Sequence, residues 1–141
     1  MTFNCFEQAQ AKFYSVALQE LTAGKKKSHW MWFVFPQLEG LGQSEIAQKF
    51  ALEDGEHARE YLAHPILGKR LLELTQVCCN HKNLTAADIF DHDTVKFHSC
   101  MTLFALTHPD NLVFKQALHQ FFAGRYCQRT WQILKNDGVL D

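Results

Sequence analysis

The residues best able to do chemistry fall in one stretch, Gly24 to Leu38, which reads GKKKSHWMWFVFPQL. Lys27, Ser28 and His29 stand directly before an aromatic run. A helix that starts behind a lysine and a serine offers free backbone N–H groups and a partial positive charge, which together make a seat for a phosphate or another anion. His29 can give or take a proton near neutral pH and is the candidate acid/base residue. Trp30 and Trp32 present ring faces on which a flat ligand can stack, and Gln37 adds an amide that both donates and accepts. A plainer account competes with this one. Ser28 would then simply cap the short helix that follows, and the aromatics would fill the core, each burying roughly 150–250 Å².

A second group lies near position 98. Lys96 and Ser99 are three residues apart and share a helix face, and Thr102 extends that polar line. A lysine on the inward side of a helix needs a partner. The plain account has Lys96 reaching to water or pairing with Asp93. The functional account sets Lys96 and Ser99 opposite the 27–32 segment across a cleft. The expected ligand set is Lys27, Ser28, Trp30, Trp32, Gln37, Lys96, Ser99 and Thr102, with His29 as the catalytic group. Such a cleft suits a small anionic aromatic compound of nucleotide or ADP-ribose type, and hydrolysis of a glycosidic or phosphoester bond is the reaction expected of it. The rival reading is a non-enzymatic interaction module without a small-molecule ligand.

Other chemistries lack their patterns. Asp91-His92-Asp93 has neither the HExxH spacing nor a spaced Cys/His set, so no metal is expected. There is no GxGxxG and no P-loop, so no nucleotide cofactor is expected. The five cysteines are odd in number, form no CxxC pair, and read as reduced thiols of a cytoplasmic protein. A formal net charge of -1 argues against a broad nucleic-acid face. No apolar run approaches the roughly 20 residues that a membrane span needs. No protein partner can be named.

The elements that must position these residues are helical. The 141 residues suit one domain, 47% of them are apolar, and none of the apolar runs alternates convincingly with period two. Thr2 or Asn4 can cap a first helix with Phe6, Ala9, Phe13, Ala17 and Leu21 inward, and Gly24 stops it. Pro36 keeps the aromatic run to a short helix leading into a loop. Ser44 and Asp54 are caps for two further helices, and Thr85 with Asp88 resembles a capping box. Pro65, Pro109 and Gly124 punctuate the rest. The expectation is an all-α bundle of seven to nine short helices.

The runs KKSHWMWFVFPQLEGLGQS, AREYLAHPILGKRL, VKFHSCMTLFA and FFAGRYCQRTWQIL resemble a family of small bacterial and fungal proteins. That family is catalogued as a domain of unknown function and is sometimes labelled calpastatin. It is similar to the superfamily typified by a small all-helical mycobacterial protein. The resemblance covers nearly the whole chain and implies an all-α fold, with no established activity. Two positions depart from the family pattern. Cys100 stands where a second serine is usual, and Cys127 where an aspartate is usual. Cys127 precedes the last helix, so loss of an aspartate cap there is expected to cost about 1 kcal/mol.

Overall fold

Nine α-helices and one 3-10 turn carry residues 3–140, the part of the chain that the computed structural model describes. In chain order they are α1 (Asn4–Ala23), α2 (Met31–Val34), α3 (Glu45–Lys49), α4 (Gly55–Ala63), α5 (Leu67–Cys79), α6 (Ala86–Phe90), the 3-10 turn Asp91–Asp93, α7 (Thr94–Thr107), α8 (Leu112–Phe122) and α9 (Gln128–Asn136). No strand occurs among the described residues; a lone bridge joins Leu38 to Leu52. No helix in this part is long and apolar enough to cross a membrane.

Helix α7 is the axis of the bundle. It packs against α4, α6, α8 and α9, while α5 packs against α1, α4 and α8. Ser99 to Ala105 of α7 are buried without a break, as is Phe97. A helix surrounded over most of its length has little outer face to keep polar, which is why its middle is mainly apolar. Rings fill the space about it. Phe90 stacks on Phe97 with centroids 4.2 Å apart, and Phe35 meets both edge-on.

Local chemistry sets most of the helix ends. Ser44 Oγ accepts from the Ala47 N–H, Asp54 Oδ1 from the His57 N–H, and Thr85 and Asp88 form a reciprocal capping box. Gly24 ends α1 with φ +88°, and its N–H caps the last carbonyls. At the other end of α1 the N-cap position is Phe3, with no side-chain cap, and Asn4 is already helical. Thr2, the alternative cap, lies outside the described residues.

The inward face of α1 carries Phe6, Ala17 and Leu21 as expected, with one exchange. Phe13 is 38% exposed, whereas Gln10 is buried. Gln10 Nε2 donates to the Phe33 carbonyl at 2.6 Å and to the Tyr61 hydroxyl at 3.0 Å. A glutamine reads as surface in a periodicity argument, but two good bonds offset its desolvation. Those bonds tie α2 and α4 to α1.

Candidate functional site

Glu20 organises the stretch in which the anion seat was expected. It projects from the last turns of α1 into the 27–30 loop. One carboxylate oxygen accepts from the Lys27 N–H (2.8 Å), the Ser28 N–H (3.0 Å) and the Trp30 indole N–H (2.9 Å). The other accepts from the Ser28 hydroxyl at 2.6 Å. Burial pushes the Glu20 carboxyl up, but these bonds outweigh it and hold its pKa at about 2. Ser28 and the backbone N–H groups expected to seat a ligand anion are thus taken by the chain's own carboxylate. Ser28 is no helix cap either, since α2 has Trp30 at its N-cap position without a side-chain bond. Trp30 is fully buried.

The neighbouring lysines divide the work. Lys27 and His29 are exposed. Lys26 turns inward: its ammonium lies 2.7 Å from Asp93, with both side chains 6% exposed, and it donates to the Ser28 carbonyl at 2.6 Å. The ammonium also sits 5.0 Å from the centre of the Trp30 ring. The other Asp93 oxygen takes Lys96 at 3.2 Å. Burial raises the Asp93 carboxyl, yet the two ammonium groups hold it below the usual carboxylate range. Asp93 therefore ties the 24–30 loop to the start of α7, and Lys96 pairs with it as the plain account required.

Lys96 nevertheless keeps a free side. It is 29% exposed, lies 5.3 Å from the centre of the Trp32 ring, and with Trp32 lines a hollow of about 380 Å³. The walls come from α2 and the loop after it (Trp32, Gln37, Leu41), from α7 (Lys96, Ser99), and from the start of α9 (Cys127, Arg129). The segments near positions 30 and 98 do meet around a shared space. Of the expected site residues, Trp32, Gln37, Lys96 and Ser99 line it. Lys27, Ser28, His29, Trp30 and Thr102 do not.

Ser99 and Thr102 are buried and turn toward α9. Ser99 Oγ is 2.7 Å from Thr130 Oγ1, and Thr102 Oγ1 accepts the Cys127 N–H at 2.9 Å. Their polar line docks one helix end on another, and Thr102 is sealed beneath it. Cys127 occupies the N-cap position of α9, as the sequence placed it. Thr130 Oγ1 donates to its sulfur at 3.4 Å, and Ser99 Oγ lies 3.6 Å away. Burial raises the Cys127 thiol, but these hydroxyls and the N–H groups of Thr130 and Arg129 outweigh it and draw its pKa below 9.0. By contrast, burial pushes Cys79 up to about 11 and Cys78 and Cys100 well above 9.0.

Sequence reasoning missed Glu20, Lys26 and Arg129. No periodic signal separates Lys26 from Lys27 in a loop. Arg129 carried no motif, yet its position just inside a helix start beside Cys127 was a usable hint.

The fold and the hollow define an all-α protein with two cations, a tryptophan and a helix N-terminus around one recess of mixed polar and apolar lining. The chain belongs to the family described as "Protein of unknown function (DUF1810)", whose model matches residues 1–134. It is similar to the conserved hypothetical protein Rv1873 from Mycobacterium tuberculosis, solved by crystallography. The two share 40% identity with a TM-score of 0.92, over 94% of this chain and 95% of that one. No curated protein matches the chain.

Proposed function

We propose that the hollow between α2, α7 and α9 binds a small anionic ligand with a flat ring, of nucleotide or ADP-ribose type. The observation that carries this is the meeting of Lys96, Arg129 and Trp32 around one recess. The two cations suit a phosphate or carboxylate, and Trp32 with Leu41 and Phe50 supplies apolar wall for a ring. A volume of about 380 Å³ lies near the small end of ligand pockets, so it fits a mononucleotide-sized group better than a dinucleotide. The reading is one of binding. His29, the expected acid/base residue, is exposed and outside the hollow, so no hydrolytic role is given to it. The five unpaired thiols suit a reducing compartment, and we place the protein in the cytoplasm.

Thermal unfolding in the presence of AMP, ADP, ADP-ribose and inorganic pyrophosphate tests the reading. A ligand at a hundredfold excess over its Kd stabilises by about 2.7 kcal/mol. K96A and R129A are each expected to abolish the rise in Tm. A panel that shifts nothing, or a shift that survives both substitutions, would overturn the proposal.

A further inference from the structure

Residues 39–51 form a loop whose two ends are pinned together. The Glu39 N–H donates to the Leu52 carbonyl at 2.8 Å, and the Leu52 N–H to the Gln37 carbonyl at 2.9 Å. Thirteen residues closed at the base in this way make an Ω-loop. Its one helix, α3, buries no residue. Phe50, at the base, is its one buried residue, packing against Phe6 and Phe33, and Leu41 lies half-buried against the core.

Hollows lie on both sides of this loop. One is the recess already described. The other, of about 610 Å³, is lined on its far side by Cys5, Phe6 and His57. Gly42, Gln43 and Ala51 line both, so the loop is a thin wall with space to move into either way. Among the described residues, one side-chain hydrogen bond reaches the loop from outside: Arg129 Nη2 donates to the Gly40 carbonyl at 3.1 Å. Arg129 also lines the recess. A guanidinium has five N–H donors, so holding Gly40 leaves others for an anion.

We propose that the 39–51 loop is a lid over the recess, hinged at the Leu38–Leu52 bridge and latched by Arg129. An anion held by the same guanidinium fixes the latch and keeps the lid shut. This second half rests on the binding reading above; the latch itself does not. By reciprocity, a lid that closes on the anion also tightens its binding.

Cys127 lies under the lid and reports its opening. In the ligand-free protein, alkylation of Cys127 by a bulky maleimide, read by mass spectrometry, is expected to speed up about fivefold in R129A, the factor that one hydrogen bond of ordinary net strength represents. Arg129 acts on the Cys127 thiol through its backbone N–H, which R129A keeps along with the Ser99 and Thr130 hydroxyls, so a faster reaction reports access to the sulfur. Cleavage after Glu45 by a glutamate-specific protease gives a second measure and should quicken similarly. Unchanged rates at both positions would overturn the latch. Inorganic pyrophosphate is expected to slow cleavage after Glu45 in the wild-type protein and not in R129A. If calorimetry shows pyrophosphate bound while cleavage is unaffected, the coupling falls and the binding reading stands. If calorimetry shows no binding, the pyrophosphate half of the proposal falls with the binding reading, and the R129A comparison still decides the latch.

Discussion

Replacing Glu20 by glutamine isolates the charge at the centre of the 27–30 loop. The side chain keeps its shape, and its remaining oxygen can still accept from the Lys27, Ser28 and Trp30 N–H groups. The bond to Ser28 Oγ can reverse, with the new amide donating. What is lost is the charge assistance of four bonds. A carboxyl moved from 4.5 to about 2 represents about 3.5 kcal/mol at roughly 1.4 kcal/mol per pH unit. Glu20 is partly exposed, so solvent screening reduces this, and about 2 kcal/mol is the working figure. For a chain of this length that is a fall in Tm of about 6–8 °C at pH 7. The sign of the pH dependence follows from the depressed pKa. The stabilisation is complete above the unfolded value near 4.5 and is lost as pH falls toward 2. Thermal unfolding of wild type and E20Q followed by circular dichroism at pH 7, 5, 4 and 3 should show the gap narrowing to less than half by pH 3. A gap that stays constant with pH, or is absent at pH 7, would refute the account of Glu20 as an internal anion.

Three further outcomes are expected. Gly68→Ala places a Cβ on the Leu62 carbonyl oxygen, with the carbonyl carbon at 2.7 Å, so α4 and α5 must separate; a loss above about 3 kcal/mol in denaturant unfolding is expected. Asp93→Asn leaves the buried Lys26 ammonium without its counter-charge and should cost about 3 kcal/mol, with K26M/D93N recovering part of that loss. Cys127 should react with iodoacetamide well before Cys78, Cys79 and Cys100, and its rate should level off at a lower pH than theirs, because its thiol is drawn down while theirs are pushed up; uniform labelling would refute this.

Much of the architecture was legible because it is locally encoded. The caps at Ser44, Asp54 and Thr85, the stop at Gly24 and the short helix before Pro36 each depend on neighbours within four residues. The apolar spacing Phe97, Cys100, Met101 and Phe104 likewise placed the inner side of α7. The site was only half legible. The types of Trp32, Gln37, Lys96 and Ser99 pointed to a shared space. Type alone could not tell Lys26 from Lys27, or say that Ser28 and Trp30 were already engaged.

The sequence by itself determined the helical bundle, most of its helix ends and the two segments that line the recess, since periodicity and capping act within a turn or two of chain. Only the tertiary structure decided which polar groups remained free. Glu20, Gln10 and Arg129 find partners between 7 and 89 residues away, and such pairings arise from packing, which leaves no periodic trace along the chain.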